Sequence, residues 1–247
     1  MPEGSRPEDA KACSNTLISI TVFFPCYNER DNVARVTERA LGVLERIGAD
    51  YEIIIVDDGS SDGTGQVADE LAGGHDAVRV IHHDRNRGYG AALQSGFNAA
   101  AKELVFYTDG DGQFDIGEMP PLLELMADYD IVSCYRMNRR DNLVRKMTGW
   151  LWTRLTGLVF GLHVRDIDCA FKLYKRAIFD TIRMESTGAL IDTEILARAA
   201  RKGFRMTQRG VHHYRRTAGR QTGIHPRVIL RAFKELLVLR RKIVKDP

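Results

Sequence analysis

The feature of this chain that most constrains its fold is a repeated alternation of short apolar runs with segments of helical periodicity. The apolar runs have the length and the branched side chains of strands, and they lie at 17–24, 51–56, 78–81, 103–107 and 130–135. The helical segments between them lie at 33–47, after Asp62, at 90–102 and at 118–128. Strand and helix in this alternation predict an α/β fold with a mostly parallel central sheet flanked by helices on both faces.

The same pattern predicts the domain organisation. Residues 1–16 are polar, rich in Pro and Gly and without periodicity, so we expect a disordered leader there. Residues 17–225 are predicted to form a single catalytic domain. Residues 226–247 carry a basic amphipathic pattern, which predicts a C-terminal helix.

Composition limits the classes of function. The chain has 247 residues, 44% hydrophobic and 28% charged, which is ordinary for a globular domain with a full core. Its net charge of +3 hides an asymmetry, because residues 205–247 hold twelve Lys or Arg against two acidic residues. The first 204 residues therefore carry a net charge of about −7, and we expect the basic segment and the acidic body to serve different ligands.

Cysteine usage and hydropathy point to a compartment. The cysteines show no close spacing such as C-x-x-C, so we expect buried, unpaired side chains rather than a zinc site or a disulfide framework. They are Cys13, Cys26, Cys134 and Cys169. No apolar run approaches the roughly 18 to 20 residues that a membrane-spanning helix needs. The expected location is the cytoplasm, with peripheral binding to the cytoplasmic face of a membrane left open.

The segment FYTDGDGQFD, at 106–115, is the main candidate for chemistry. Its carboxylate and amide oxygens alternate directly behind an apolar run, at Asp109, Asp111, Gln113 and Asp115. Ligands bind at the carboxyl ends of parallel strands, and hard oxygens on a glycine-rich loop suit Mg²⁺ or Mn²⁺ held by a diphosphate. A solvated acidic loop is the structural alternative.

Two further strand ends carry polar turns. In DDGSSDGT, at 57–64, an Asx turn that caps the next helix explains part of the motif. The adjacent carboxylates of Asp57 and Asp58 need donors, and nucleoside hydroxyl or base N–H groups are suitable ones. The glycine-rich turn RNRGYG, at 85–90, is a second place where a phosphate could bind, or simply the entry to a helix.

The segments PCYNE, VDDGSSDGT, NRGYGAALQSGFNAA and DGDGQFD, in this order, resemble family 2 glycosyltransferases of the GT-A nucleotide-sugar-binding fold. RDIDCAFKLYKR, IDTEILARAARKGF and HHYRRTAGRQTG resemble the dolichyl- and polyprenyl-phosphate sugar transferases. The resemblance covers residues 17 to about 240. It implies an inverting transfer of a sugar from a nucleoside-diphosphate sugar, of the GDP-mannose or UDP-glucose type, to a polyprenyl or dolichyl phosphate.

The resemblance also implies roles for individual residues. The donor would bind to Pro25, Tyr27, Glu29, Val56, Asp58, Gly110, Arg216 and Arg220. The metal would bind to Asp109, Asp111 and Gln113. The acceptor phosphate would bind to Arg136 and Arg145.

Two departures from the family pattern concern the phosphate sites. Arg216 matches the arginine that opens the family's R-x-x-G-x-S-K loop, but Gln221 and Thr222 stand where the serine and lysine would be. Arg220 is close enough in sequence to supply the missing charge. Asp168 and Cys169 stand where the eukaryotic mannosyltransferases have a small neutral pair.

The acceptor decides whether a general base is needed. A phosphate acceptor is already anionic and needs no strong base, whereas a hydroxyl acceptor on a glycan, lipid or natural product needs one. Candidates for that base are Asp168, Asp192 and Glu194. A soluble enzyme with a hydroxyl acceptor therefore stays the alternative, and a non-enzymatic sugar-nucleotide or nucleic-acid binding protein is a third hypothesis.

Two segments suggest contact with a membrane surface. Residues 142–163 combine Trp150, Leu158 and other apolar side chains with Arg145 and Arg154, which is the composition of an interfacial helix or helical hairpin. In 226–247 a basic face is predicted opposite an apolar face made by Ile229, Phe233, Leu236, Leu237 and Ile243. Either segment could instead be a core-packing amphipathic helix. No nucleic-acid module accompanies the basic tail, so we expect no nucleic-acid partner, while a membrane-protein partner or a homo-oligomer stays open.

Overall fold

The computed structural model describes residues 17–137, 143–216 and 226–245, without the side chains of 143–146 and 226–234. Its strands are β1 (Ser19–Cys26), β2 (Asp50–Asp57), β3 (Val78–His82), β4 (Leu104–Thr108), β5 (Ile131–Met137), β6 (Phe171–Lys175) and β7 (Met206–His212). Its helices are α1 (Arg30–Arg46), α2 (Thr64–Gly74), α3 (Tyr89–Ala99), α4 (Pro120–Leu123), α5 (Leu143–Phe160), α6 (Ile191–Arg201) and α7 (Pro226–Lys245). The leader predicted at 1–16 lies outside the described residues.

The strands form one seven-stranded sheet in the order β3-β2-β1-β4-β6-β5-β7. Strand β1 pairs in parallel with β2 and β4, and β2 pairs in parallel with β3. Strand β6 runs antiparallel to both β4 and β5, and β7 runs parallel to β5. The predicted mostly parallel sheet is confirmed, although neither β6 nor β7 is among the five apolar runs.

The helix predicted over 118–128 is wrong as a single element. The chain there forms a 3₁₀ turn at Ile116–Glu118, the short helix α4, and a second 3₁₀ turn at Glu124–Ala127. Pro120 lacks an N–H group and occupies the first helical position of α4, which fixes where that helix begins.

The core has two layers, one on each face of the sheet. Alternate residues of β1 face opposite layers, so that Val22 and Phe24 pack against α1 while Phe23 packs against α3. A Cβ at Gly96 of α3 would lie 2.3 Å from the Phe23 ring, so only glycine permits this close approach. Cys26, Cys134 and Cys169 are buried and unpaired as predicted; Cys13 lies outside the described residues.

Helices α5 and α7 each combine core packing with exposed apolar side chains. Trp152 and Leu155 of α5 pack against the core, but Trp150, Leu151 and Leu158 are exposed. The segment 143–160 is one helix and not a hairpin. Among the described helices, none is both long enough and apolar enough to cross a bilayer.

In α7 the predicted apolar face is partly wrong. Leu236, Leu239 and Ile243 are buried, and their spacing of three and four residues defines the core-facing stripe. Leu237 lies about a quarter turn away from that stripe and is 59% exposed.

Candidate functional site

The sheet topology brings the predicted site residues to one edge. The carboxyl ends of β1, β2 and β4 coincide there because these strands are parallel. Strand β6 is antiparallel and pairs Phe171 with Thr108, so its amino end, with Asp168 just before it, reaches the same edge. The carboxyl end of β5 lies at this edge because β5 is antiparallel to β6, and the carboxyl end of β7 lies there because β7 is parallel to β5.

A cavity of about 400 Å³ opens at this edge. The predicted site residues that line it are Pro25, Tyr27, Glu29, Asp58, Asp109, Gly110, Asp111, Gln113, Arg136, Asp168 and Arg216. Residues from the ends of six strands therefore converge on one cavity, which is the arrangement expected for ligand binding in an α/β sheet.

The loop after β4 carries the acidic pair of the cavity. A Cβ at Gly110 would lie 2.4 Å from Cys26 Sγ, so glycine lets this loop pack tightly on the end of β1. Burial, and secondly the negative charge of Asp111, raise the pKa of Asp109 to about 8. The Tyr89 hydroxyl donates a hydrogen bond to Asp109 Oδ1 over 3.1 Å. A cation bound between the two carboxylates would relieve their repulsion.

Arg216 forms a bridge over this acidic pair. Its guanidinium makes a short ion pair with Glu29 and lies 3.6 Å from Asp111 Oδ2. Burial raises the pKa of Glu29, while its bonds with Asn32 and Arg216 act in the opposite direction. A guanidinium held between two carboxylates at the cavity wall is well placed to donate to a phosphate.

Gln113 connects the acidic loop to the segment that carries Arg216. Its amide nitrogen donates to the Tyr214 carbonyl over 2.9 Å, and the Tyr214 N–H donates back to the Gln113 carbonyl over 2.8 Å. The amide oxygen of Gln113 is the side-chain atom left for a metal.

The donors that Asp57 and Asp58 require come from the protein. Asp58 accepts hydrogen bonds from the backbone N–H groups of Arg87 and Gly88, both over 2.9 Å, and pairs with His83 Nδ1 over 2.6 Å. Its carboxylate thus fixes the loop 83–88 beside the cavity. Donors within the protein therefore already stabilise this carboxylate, and a nucleoside contact to Asp58 stays a prediction.

Arg136 and Asp168 lie on the opposite wall of the cavity. The Arg136 guanidinium makes a two-bond ion pair with Asp166, with distances of 2.6 and 2.7 Å. Burial, and secondly the charge of Asp192, raise the pKa of Asp168 to about 7. Arg136 is therefore paired with a carboxylate, as Arg216 is, and Asp168 is a carboxyl with a pKa of about 7.

Several predicted residues do not line the cavity. Val56 is fully buried, because the alternation of side chains along β2 places it on the face of the sheet that packs against α3. Asp192 is buried against Lys172 Nζ at 2.7 Å, and Glu194 against Arg198 Nε at 2.9 Å, so both are ion-paired away from the cavity and a role as base stays a prediction. Asp115 accepts from the Gly117 N–H and pairs with Arg39.

Two predicted phosphate ligands lie outside the described residues. They are Arg220 and the side chain of Arg145. Their roles stay predictions.

The structure adds residues that the sequence reasoning missed. Those that line the cavity include Asn86, Tyr89, Phe114 and His213. Asn86 and Tyr89 belong to the glycine-rich turn that was singled out as a phosphate site, so that signal was present in the sequence. Phe114 and His213 come from distant parts of the chain and meet at a ring distance of 5.0 Å, which no local pattern indicates.

Comparisons with known proteins agree with this geometry. The model of the family described as Glycosyl transferase family 2 matches residues 21–183. An undecaprenyl-phosphate 4-deoxy-4-formamido-L-arabinose transferase of Sodalis glossinidius is 34% identical over 66% of this chain and 51% of its own length. Glycosyltransferase AglD of Haloferax volcanii is 32% identical over 84% of this chain and 34% of its own length. The chain thus spans a third to a half of these curated relatives.

Solved structures share the fold at low sequence identity. Mannosyl-3-phosphoglycerate synthase from Rubrobacter xylanophilus superposes with a TM-score of 0.69, at 20% identity, over 91% of this chain and 74% of its own. Mannosyltransferase PcManGT from Pyrobaculum calidifontis, solved with GDP-Man and Mn²⁺, gives 0.65 at 22% identity over 94% and 66%. The expected GT-A fold is confirmed, and with a family match over most of its length this chain belongs to glycosyl transferase family 2.

Proposed function

We propose that this protein transfers a sugar from a nucleoside-diphosphate sugar to a polyprenyl phosphate, with inversion at the anomeric carbon. The convergence of Asp109, Asp111 and Arg216 on one cavity carries the proposal, because it places metal-binding oxygens next to a phosphate-binding cation. The names of the undecaprenyl-phosphate relatives support the acceptor. Arg216 would bind the donor diphosphate, and the loop held by Asp58 would bind the nucleoside.

The residues of the cavity fit a divalent ion, Mg²⁺ or Mn²⁺. In the described part of the chain, no three His, Cys, Asp or Glu side chains converge on one point. Asp109 and Asp111 are hard oxygen donors, and a bound cation would offset the burial and the charge of Asp111 that raise the pKa of Asp109. A diphosphate would supply the other ligands. When bound, the ion would neutralise negative charge on the leaving diphosphate.

The outer side of helix α5 supports a location at the membrane surface. Arg154 lies 5.6 Å from the ring centre of Trp150 on the outer side of α5, where Leu151 and Leu158 are also exposed. Aromatic, aliphatic and cationic side chains on one surface suit the interface of an anionic bilayer. An acceptor anchored in the bilayer would then reach the cavity without leaving the membrane.

A sugar-transfer assay with a polyprenyl phosphate tests the proposed acceptor. The purified chain, with radiolabelled GDP-mannose or UDP-glucose and Mn²⁺, is expected to label undecaprenyl phosphate. The product should extract into organic solvent and release its sugar in mild acid, because a glycosyl phosphate is acid-labile. Label that appears only on a neutral alcohol acceptor would contradict the proposal.

One observation favours a second candidate, a hydroxyl acceptor. Asp168 lines the cavity with a pKa of about 7, which suits a general base at neutral pH. Arg136, the predicted acceptor-phosphate ligand, is already paired with Asp166.

Asp168→Asn separates the two candidates through the pH profile. The pKa of Asp168 is raised by burial, Asp192 and Asp166, and is lowered by Arg136 and Lys172. A base with a pKa of about 7 acts only above that pH, so a hydroxyl-transfer rate would rise through it, and the Asn variant would lose about 10² to 10⁴-fold. With a phosphate acceptor we expect less than about a tenfold loss, because the acceptor needs no base. The measurement is kcat/KM from about pH 5.5 to about pH 8.5. This range includes the second pKa of a phosphate monoester, which is about 6.

A further inference from the structure

A chain of buried polar groups links the core to the acidic pair. At its inner end Lys172, which is completely buried, donates to Asp192 Oδ1 over 2.7 Å and to the Tyr107 hydroxyl over 3.1 Å. The Tyr107 hydroxyl donates a short hydrogen bond to Asp192, and Tyr89 packs against the buried cluster that contains Tyr107. Tyr89 then donates to Asp109 Oδ1 over 3.1 Å.

Packing alone does not explain this chain. A buried ion pair gains little net stability over apolar side chains of the same size, because both charges lose their hydration. The neighbouring Tyr174 is equally buried and stacks on Tyr107 at a ring distance of 6.4 Å, yet its hydroxyl finds no hydrogen-bond partner within the described part of the chain. The hydroxyls of Tyr107 and Tyr89, by contrast, are both hydrogen-bonded, to Asp192 and to Asp109.

We infer that Tyr89 and Tyr107, anchored by the Lys172–Asp192 ion pair, position the Asp109 carboxylate for metal binding. This inference rests on the proposed function and assigns Asp192 a positioning role in place of the base predicted from the sequence.

The physical argument concerns the rotation of a carboxylate. The negative charges of Asp109 and Asp111 interact across the loop, and their repulsion favours rotation of one carboxylate away from the other. A hydrogen bond from Tyr89 to one oxygen resists that rotation and leaves the other oxygen for a metal. Tyr89 in turn packs against the core cluster that contains Tyr107, and Tyr107 is held in place by hydrogen bonds with both members of the buried ion pair.

The test measures metal affinity directly. Mn²⁺ is titrated into the intact chain without nucleotide, and free Mn²⁺ is followed by its electron paramagnetic resonance signal. Tyr89→Phe keeps the ring and removes the hydroxyl, and we expect it to weaken Mn²⁺ binding about 10- to 100-fold. Tyr174→Phe is the matched control, because it removes a hydroxyl that has no partner, and it should bind Mn²⁺ like the wild type.

Tyr107→Phe tests the inner part of the chain. We expect a weaker effect than for Tyr89→Phe, and the double variant should lose less affinity than the two single losses multiplied together, because both hydroxyls act through one carboxylate. Thermal unfolding of each variant shows whether a loss of affinity follows from a loss of stability.

The outcomes separate this inference from the proposed function. Equal Mn²⁺ affinity of Tyr89→Phe and wild type would overturn the positioning role and leave the proposed function intact. Equal losses in Tyr89→Phe and Tyr174→Phe would overturn it too, since the effect would then be one of packing. A wild-type chain that binds no Mn²⁺ at millimolar concentration would overturn the positioning role alone, because the proposed function is tested separately by sugar transfer to undecaprenyl phosphate in the presence of the donor diphosphate.

Discussion

Asp111→Ala is expected to lower sugar transfer by about a thousandfold or more, because a bound metal contributes several kcal/mol of transition-state stabilisation. Without Asp111 the cavity keeps a single carboxylate from the acidic pair, and Arg216 loses the oxygen that lies 3.6 Å from its guanidinium. The measurements are kcat/KM for the sugar nucleotide in Mn²⁺ and the Mn²⁺ affinity of the free protein. Both should fall together.

Asp115→Ala is the matched control for this prediction. Asp115 lies in the same loop but pairs with Arg39 and caps the 3₁₀ turn at Ile116–Glu118, away from the cavity. Its removal should cost about 1 kcal/mol of stability, as for a lost helix cap, and should leave transfer within a few-fold of wild type. Near wild-type turnover of Asp111→Ala in Mn²⁺ would show that the metal is bound elsewhere or not at all.

The contrast between Asp111 and Asp115 shows how much of the site can be predicted from the sequence. Both belong to the alternating pattern of FYTDGDGQFD, and the pattern alone cannot tell them apart. The carboxyl ends of parallel strands coincide, so the edge position of Asp58 and Asp111 follows from strand prediction. Which carboxylate faces the cavity depends on Arg39, an α1 residue 76 positions away.

The strands that complete the site were harder to predict. Strand β6 has five residues, and its buried Lys172 interrupts the apolar pattern by which a core strand is recognised. Because β6 is antiparallel, its amino end brings Asp168 to the cavity, a placement that a purely parallel sheet would not allow. Strand β7 is mostly half-buried and carries no continuous apolar run.

The burial of charged side chains is the feature of this fold that is hardest to predict from the sequence. Asp192 and Glu194 stand in the first turn of α6, where acidic residues are usually exposed and favoured by the helix dipole. Their partners are Lys172, which is 20 positions away on a different element, and Arg198 on the same helix. Only the packing of α6 on the sheet turns both carboxylates inward, so their burial and ion pairing could not be predicted from local sequence.

Lys172→Met is expected to destabilise the fold by about 3–5 kcal/mol, because it leaves the Asp192 carboxylate buried without its cation. For a domain of this size that corresponds to a fall in melting temperature of roughly 6 to 20 °C. The measurements are thermal melting and the midpoint of urea unfolding.

Lys175→Met provides the comparison on the same strand. Lys175 pairs with Asp130 over 2.8 Å, but its side chain is 38% exposed, and such surface pairs contribute about 0–1 kcal/mol.

A second comparison is Lys172→Met combined with Asp192→Leu, which removes both buried charges and should recover much of the lost stability. If Lys172→Met unfolded at the same urea concentration as Lys175→Met, the ion pair would not anchor Tyr107. If instead the single variant is destabilised and the double variant recovers stability but still binds Mn²⁺ weakly, the pair serves the site rather than the fold, since the apolar core can be restored without restoring the position of Asp109.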